Sequence, residues 1–300
     1  MPPIDSTSPH PALRPHVSRY VQVALDVASD GTMRHQLSAL TGSVAAVVWS
    51  GQVCMDAAST KHVDVDVPDA SDIHTRAIAI PAPIPSCCFI GPLTRWHDNV
   101  IVGALQSFCV HFTPLGANAL LHLRGRGFAD RAVSFADLLD DARRSMDVRS
   151  WADEVMHARS FAERVAATDR FLLRRLRRAA PPIDLLAAVV ARLTSMGDDG
   201  TRVSALASEL ACSERTLRRR FRDEMGLSVK RFARITRFRR AHAFLQRTSP
   251  TEWARAVLRF GYVDQAHLIR DYRELAGTTP ARFSADERFL DSALAWRAAQ

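Results

Sequence analysis

The sequence has few cysteines, almost no lysine and no long apolar segment, and each of these shortages excludes a class of protein. The 5 cysteines show no CxxC spacing, which argues against both a disulfide framework and a zinc ribbon. They are Cys54, Cys87, Cys88, Cys109 and Cys212. We therefore expect reduced thiols and no metal or other cofactor.

No segment is suited to cross a membrane or to direct export. The most apolar stretch without a charge, 77–93, contains several prolines and cannot form the roughly 20-residue helix that a bilayer requires. The first residues, MPPIDSTSPHPALRPH, lack the basic start and apolar core of a signal peptide. We expect a cytoplasmic protein that has no membrane partner.

Composition and size indicate a globular protein of two domains. The chain has 300 residues, of which 47% are hydrophobic and 24% are charged. The formal net charge is +8, and Lys61 and Lys230 are the only lysines among 40 basic residues. The planar guanidinium of arginine suits phosphates and guanine edges, although a GC-rich genome produces the same bias.

The positive charge is concentrated in one part of the chain. Residues 201–283 carry 18 basic and 8 acidic side chains, a net charge of +10 that leaves −2 for the remainder. Such a concentration is typical of a domain that binds a polyanion. A basic face that is merely solvated remains the alternative.

The first part of the chain has the pattern of a β-rich domain. Apolar residues alternate with polar ones between turn residues, which predicts mostly strands up to about residue 113, in a sandwich or a small barrel. We predict strands at 20–25, 44–49, 62–67 and 108–112. Helices are predicted at 117–123 and 135–139 and within the long stretch 150–178, and Pro181-Pro182 marks the domain boundary.

Beyond this boundary the chain is predicted to be entirely helical. Ser213 and Gly226 have the positions of an N-cap and a left-handed C-cap around one helix, and the capping box Ser-Pro-Thr-Glu at 249–252 begins another. The predicted helices are 183–196, 204–210, 214–225, 230–246, one that starts near 249, and 264–275. The fold class is therefore α+β, with a β-rich domain and trailing helices followed by an all-α domain.

Two pairs of these helices have the spacing of a helix-turn-helix, a short helix followed by a tight turn and a second helix. In 214–225 the residues Leu217, Phe221 and Met225 form an apolar stripe, so the arginines point the other way. These outward residues are Arg215, Arg218, Arg219 and Arg222. In 264–275 the inward residues are Leu268, Tyr272 and Leu275, and the outward ones are Ala266, Ile269, Arg270 and Arg273.

An arginine-lined helix fits the major groove of DNA, and two of them on one chain would enter successive grooves about 34 Å apart. The intervening helix, 230–246, would span about 25 Å as a spacer. Its arginines could contact phosphates, form ion pairs within the domain or be solvated, and the sequence leaves these readings open. They are Arg231, Arg234, Arg237, Arg239 and Arg240.

This region resembles a known family. The stretch LASELACSERTLRRRFRDEMGLSVKRF, then RFRRAHAFL and FGYVDQAHLIRDYRELAGTTPARF, is similar to the DNA-binding domain of AraC/XylS transcriptional regulators over roughly residues 183–284. The resemblance rests on Ser-x-Arg-x-Leu-x-Arg-x-Phe at 213–221, Gly-Tyr-x-Asp-Gln-x-His at 261–267 and Thr-Pro at 279–280. It implies that the base-reading positions are Arg215, Arg218 and Arg219 in the first recognition helix and Gln265, Ala266, His267, Ile269 and Arg270 in the second.

The resemblance also implies a division of labour along the chain. Residues 1–180 would form a regulatory domain that binds a small-molecule effector or makes a homodimer, 183–284 would bind double-stranded DNA, and 285–300 would be a helical tail. RNA polymerase would be the transcriptional partner, and the choice between activation and repression stays open. The pocket candidates are Trp49, Trp96, His97, His111 and Phe112, although aromatic residues in strands are more often core.

Three other readings need weighing. His62, His74, His97, His111 and Cys109 could be imagined as metal ligands, but they lack a recognisable ligand spacing. A cysteine-dependent DNA-alkylation repair protein would need a cysteine beside a histidine and an arginine, which none of the five has. A nonspecific basic DNA-binding protein remains, and it would be indifferent to base sequence.

Overall fold

The computed structural model describes residues 4–27, 31–55, 82–125, 127–138, 142–178, 184–196, 203–245, 253–280 and 282. Within these ranges a β-rich part is followed by helices, which confirms the predicted α+β class. The predicted strand 62–67, the Pro181-Pro182 boundary and the capping box at 249–252 lie outside the described residues. The helices of the described ranges are too short or too polar to cross a bilayer.

The strands form one antiparallel sheet centred on its longest member. They are β1 (Ile4–Thr7), β2 (Val17–Leu25), β3 (Thr32–Leu37), β4 (Val44–Met55), β5 (Cys87–Ile90), β6 (His97–Phe112) and β7 (Ala132–Ser134). Their order is β1-β2-β6-β4-β5-β7, and β3 pairs with the first part of β6 beyond the end of β2. Among the described strands the sheet is open, with β1 and β7 outermost. The sequence predicts a sandwich or a small barrel, and one open sheet is found instead.

Both faces of this sheet are apolar and both are buried. Along β4, Ala45 and Val47 join one apolar cluster, while Val44, Ala46 and Val48 join the other, as the two-residue period of a strand requires. The first face is covered by helices from the middle of the chain. These helices are α1 (Gly116–Leu121), α2 (Phe135–Leu138), α3 (Ala142–His157) and α4 (Phe161–Leu176).

The long helical stretch predicted around 150–178 is two helices. The second helix, α4, begins after Ser160, whose hydroxyl accepts a hydrogen bond from the backbone NH of Glu163 at 3.2 Å and so caps the helix. The Glu163 carboxylate in turn accepts from the backbone NH of Arg159 at 2.7 Å. Ser-Phe-Ala-Glu at 160–163 is thus a capping signal, and it separates α3 from α4.

The helices of the last part follow the predicted positions closely. They are α5 (Asp184–Met196), α6 (Val203–Glu209), α7 (Glu214–Met225), α8 (Val229–Leu245), α9 (Trp253–Arg259) and α10 (Gln265–Ala276). Their core surrounds α8, where Phe232 meets Phe221 edge-on at 5.4 Å and Phe238 meets Tyr272 at 5.0 Å. This core also includes Ala39, which comes from the β-rich part of the chain.

Trp151 is the residue on which we expect the packing of α3 against α4 to depend. Its ring is buried and stacks on Phe171 at 5.3 Å, and its indole NH donates to the Thr168 hydroxyl at 3.0 Å. Trp151→Ala should lower the free energy of unfolding by about 3–5 kcal/mol because a large cavity forms. Urea denaturation followed by circular dichroism measures this, and a loss below about 1 kcal/mol would contradict the packing described here.

Candidate nucleic-acid interface

Helices α7 and α10 are built alike from end to end. Each has 12 residues, and each residue of α7 corresponds to one 51 positions later, as Ser213 does to Asp264 and Gly226 to Gly277. Ser213 accepts a hydrogen bond from the backbone NH three residues on at 3.1 Å, and Asp264 does the same at 2.6 Å. Both helices end at a left-handed glycine, with φ of 71° and 70°.

The turns that precede these two helices share a geometry but differ in length. Ala211 and Gly261 both adopt left-handed backbone angles, with φ of 49° and 67°. The following residues, Cys212 and Tyr262, donate their backbone NH groups to carbonyls five residues earlier at 2.9 and 3.0 Å. From there the N-cap is one residue away at Ser213 but two residues away at Asp264, so the second turn is one residue longer.

The outer face of α7 is a continuous cationic surface. Leu217, Phe221 and Met225 are buried, so the helix is fixed with its arginines outward. The exposed arginines are Arg215, Arg218, Arg219, Arg220 and Arg222. Of these, Arg220 did not figure among the predicted site residues. Arg218 donates to the carboxylate of Glu214 one turn earlier at 2.7 Å, an exposed ion pair that opposing phosphates could replace.

The outer face of α10 is mixed. Gln265, Ala266, Arg270 and Arg273 are exposed, while Ile269 and His267 are half-buried. The His267 ring is engaged by the domain itself, because its Nε2 lies 3.2 Å from a guanidinium nitrogen of Arg237 and its ring packs edge-on against Tyr262 at 5.1 Å. Contacts within the domain therefore hold part of the predicted reading surface of α10.

Three of the arginines on α8 form ion pairs within the domain. Arg234 donates to Asp271 at 2.8 Å and to Glu274 at 2.5 Å, and Arg237 donates to Asp271 at 3.1 Å. Arg231 also pairs with Glu274. Because Asp271 has no exposed surface, its charge is matched entirely by protein groups. This network bonds α10 to α8 and fixes the rotation of α10 about its own axis.

The other two arginines on α8 also pack within the chain. Arg239 is buried and donates to the hydroxyl of Ser38 at 2.7 Å, and Arg240 lies 5.7 Å from the centre of the Phe260 ring. Of the three readings that the sequence left open for α8, ion pairs within the domain are observed for Arg231, Arg234 and Arg237. The ion pairs also shift the pKa of the Glu274 carboxylate. Burial alone would raise this pKa, but hydrogen bonds from Arg234 and Arg231 outweigh burial and lower it.

The residues predicted to line a ligand pocket in the β-rich part make contacts within the protein. Trp49 lies under the Arg164 guanidinium at 4.6 Å, and Phe112 belongs to the core beneath the helices. His97 bonds Asp130 at 3.0 Å. His111 is buried, and desolvation followed by the charges of Arg19 and Arg239 lowers its pKa to about 3. A groove elsewhere is lined by Ser86, Cys87, Ser134, Arg149, Asp153 and Met156.

Burial shifts the pKa of the sheet cysteines away from the activation that a catalytic thiol needs. Burial raises the pKa of Cys109 to about 12 and also that of Cys88, and burial together with the charge of Asp153 raises the pKa of Cys87 to about 11. A nucleophilic thiol requires the opposite shift. In the ranges that the structure describes, histidines, cysteines and acids do not form a group of three that could hold a metal ion, and His62 and His74 lie outside those ranges.

Comparison with known proteins identifies the carboxy-terminal region. Residues 206–286 match the family model described as a helix-turn-helix domain. No curated protein sequence matches the chain. The structure of ToxT from Vibrio cholerae O395 is similar with a TM-score of 0.47 and 8% identity, covering 88% of this chain and 96% of ToxT.

Two further solved structures are similar over most of their length. Wild-type ToxT from Vibrio cholerae strain SCE256, bound to an unsaturated fatty acid, has a TM-score of 0.45 and 9% identity, covering 88% of this chain and 94% of that one. The AraC-like transcriptional activator CuxR has a TM-score of 0.30 and 14% identity, covering 85% and 91%. At these scores the similarities identify no ligand and no site residue.

The buried carboxylate of Asp271 should be essential to the stability of the helical part. Asp271→Asn leaves the guanidinium of Arg237 without its buried counter-charge, so we expect the free energy of unfolding to fall by about 3–5 kcal/mol. Glu214→Gln removes an exposed pair instead and should cost less than about 0.5 kcal/mol. Urea denaturation of both variants compares the two pairs, and equal losses would contradict the buried role of Asp271.

Glu274 should make the stability depend on acid pH. Its pKa is lowered in the folded protein, so its contribution is complete above its ordinary value of 4.5 and is lost as the pH falls through the lower folded value. Glu274→Gln should therefore be less stable than the wild type at pH 7, and the difference should shrink below pH 4.5. A difference that stays constant between pH 7 and pH 3 in urea denaturation would argue against the ion pairs with Arg231 and Arg234.

Proposed function

We propose that this chain, whose residues 206–286 match a helix-turn-helix domain, is a DNA-binding transcriptional regulator of the AraC type that recognises a specific site with both α7 and α10. The observation that carries the proposal is that each of the two helices exposes two arginines at equivalent positions. Arg219 and Arg270 occupy corresponding positions, as do Arg222 and Arg273, and all four are exposed. A protein with two such surfaces can read two half-sites.

The side chains on the two helices suit direct reading of bases in the major groove. An arginine can form two hydrogen bonds to the O6 and N7 atoms of guanine, and Gln265 can do the same with adenine. Ala266 and Ile269 offer apolar surface to a thymine methyl group. We assign base reading to Arg215, Arg218, Arg219, Gln265, Ala266, His267, Ile269 and Arg270, and contacts at the edge of the groove to Arg222 and Arg273.

The two helices are proposed to occupy successive major grooves on one face of the duplex. The spacer α8 has 17 residues and therefore a length of about 25 Å, and side-by-side packing of α7 and α10 on it accounts for the remaining distance to about 34 Å. Because its arginines are engaged inside the molecule, α8 acts as a support. Binding strength then comes mainly from the arginines on α7 and α10.

The β-rich part is proposed to modulate this binding. By resemblance to the AraC/XylS regulators, it would respond to a small-molecule effector or form a homodimer, and RNA polymerase would be the partner in transcription. The raised thiol pKa values of this part do not favour cysteine-dependent DNA repair. No observation in the structure favours a second function over the regulator.

Selection of bound duplexes from random DNA with the full-length protein tests the proposal. At one stated salt concentration we expect a motif in two parts, one helical turn apart, because each recognition helix reads one part. A set of bound sequences without any motif would contradict specific recognition and leave a nonspecific basic DNA-binding protein.

Single arginine variants then assign the half-sites. Arg219→Ala should relax the preference at one base pair of the first half-site by about 1–3 kcal/mol, and Arg270→Ala should do so in the second. Arg220→Ala is the matched control, since it removes an exposed arginine of α7 that lies beside the reading surface. It should weaken binding to all sequences alike. Loss of preference with Arg220→Ala but not with Arg219→Ala would overturn the assignment.

A further inference from the structure

The β-rich part of the chain contacts the carboxyl end of the first recognition helix. The backbone NH of Gly125 donates to the carbonyl of Glu224 at 2.8 Å, and the Asn118 amide donates to the carboxylate of the same residue. The backbones are so close that a Cβ atom on Gly226 would lie 2.3 Å from the carbonyl oxygen of Gly125. Only glycines allow this approach.

The carboxyl end of the second recognition helix is contacted in the same manner. The backbone NH of Ala39 donates to the carbonyl of Leu275 at 2.7 Å, and that of Trp96 donates to the carbonyl of Glu274 at 3.4 Å. A Cβ atom on Gly277 would lie 2.6 Å from the ring of Trp96. The C-cap glycine of each recognition helix is therefore pressed against the β-rich part.

These contacts meet a chemical need of the helix ends. The last four carbonyls of a helix have no donor within the helix, and here backbone NH groups from elsewhere in the chain satisfy some of them. Hydrogen bonds between two backbones leave little freedom, because no flexible side chain lies between them. Each recognition helix is thus held in position at its carboxyl end as well as by its own core.

The contacting segments are bonded to one another, so they form a single support. The segment that contacts α7 joins it through residues 128–130, because the backbone NH of Phe128 donates to the carbonyl of Gly125 at 3.1 Å. Leu40 and Leu93 exchange two backbone hydrogen bonds of 2.9 and 3.0 Å, which join the segment that contacts α10 through Ala39 to the one that contacts it through Trp96. The carboxylate of Asp130 accepts hydrogen bonds from Thr94 at 2.7 Å and from His97 at 3.0 Å. Its backbone NH donates to the carbonyl of Pro92 at 3.0 Å.

The support also reaches the spacer helix. The Arg231 guanidinium donates to the carbonyl of Thr94 while pairing with Glu274, and Arg239 donates to Ser38. Residues 38–40, 93–97 and 118–125, together named the brace, therefore contact α7, α8 and α10. Because the brace contacts all three helices, it restricts the position of α7 relative to α10.

We propose that the brace sets the distance and angle between the two recognition helices and thereby determines which spacing of DNA half-sites the protein accepts. Trp96, Asn118 and Gly125 are the positioning residues. The proposal rests on the proposed function, since it concerns two half-sites. A shift of one base pair moves a half-site by about 3.4 Å and rotates it by about 34°, so two helices held rigidly fit one spacing well.

Duplexes that differ only in half-site spacing test the proposal with the full-length protein. The wild type should bind its best spacing about tenfold more tightly than spacings one base pair longer or shorter. In Gly125→Ala and Trp96→Ala this ratio should fall to about threefold or less, while the base preference within each half-site stays unchanged. Gly125→Ala acts as a wedge, because the new Cβ would lie 2.3 Å from the backbone of Met225.

Matched controls separate the brace from general damage. Trp96→Phe keeps a ring against Gly277. Gly127→Ala, two residues from Gly125, meets nothing within 4 Å but has a φ of 91°, so it tests backbone strain in the same loop without a clash against α7. Both should retain the spacing preference of the wild type. Equal spacing ratios in Trp96→Ala, Gly125→Ala and the wild type would overturn the proposal, as would equal loss in the two controls.

A distance measurement tests the brace without DNA. Spin labels at Ser208→Cys and Leu258→Cys, both exposed on the first helices of the two units, report their separation in a background where Cys87 and Cys212 are serine. We expect a narrow distribution in the unaltered brace and a broader or shifted one in Trp96→Ala and Gly125→Ala. Unchanged distributions would overturn the brace, whereas random DNA that yields no motif would overturn only the proposed function.

Discussion

The buried carboxylate of Asp271 is the constraint on which the second recognition helix depends. A fully buried charge is costly unless it is paired, and Arg234 and Arg237 of the spacer supply the pairing. Because Asp271 must face α8, Arg270 and Arg273, at about 100° and 200° from it around the helix, are turned away from α8 and exposed. The two ion pairs of Asp271 therefore contribute both to the stability of α10 and to the direction in which its exposed arginines point.

The two recognition helices are similar in form but differ in what holds them. Leu217 and Phe221 fix α7 through apolar packing that includes the edge-on contact with Phe232, whereas α10 adds buried ion pairs to its own apolar packing. Apolar packing responds little to salt, but ion pairs respond to pH and, where partly exposed, to salt. Residues 201–283 carry a net charge of +10, but part of it belongs to α8 arginines that form ion pairs inside the molecule. The charge that α7 and α10 present to a polyanion is therefore smaller than +10.

What the sequence could predict was the local part of this arrangement. The apolar stripe of α7 and its caps at Ser213 and Gly226 follow from spacing and residue type, and the structure has them as predicted. The ion pairs of Asp271 could not be foreseen, since α8 offers several arginines and pattern does not choose among partners on another helix. The open sheet was likewise undetermined, because strand order depends on pairings such as Ala46 with Cys109 that are remote in sequence. The sequence alone brings neither Trp96 nor Gly125 near a recognition helix.

The C-cap glycines show how a local rule can conceal a long-range role. A left-handed C-cap accounts for glycine at 226 and 277 without reference to the rest of the chain. In the folded molecule the lack of a side chain also lets Gly125 approach Gly226 and Trp96 approach Gly277. Each position therefore requires glycine for two reasons, its backbone angle and the close neighbour. These contacts lie at the carboxyl ends, one to two turns beyond Arg219 and Arg270. The β-rich part can therefore constrain where the recognition helices stand while their reading surfaces stay uncovered, which is the geometry that a domain governing DNA binding from a distance requires.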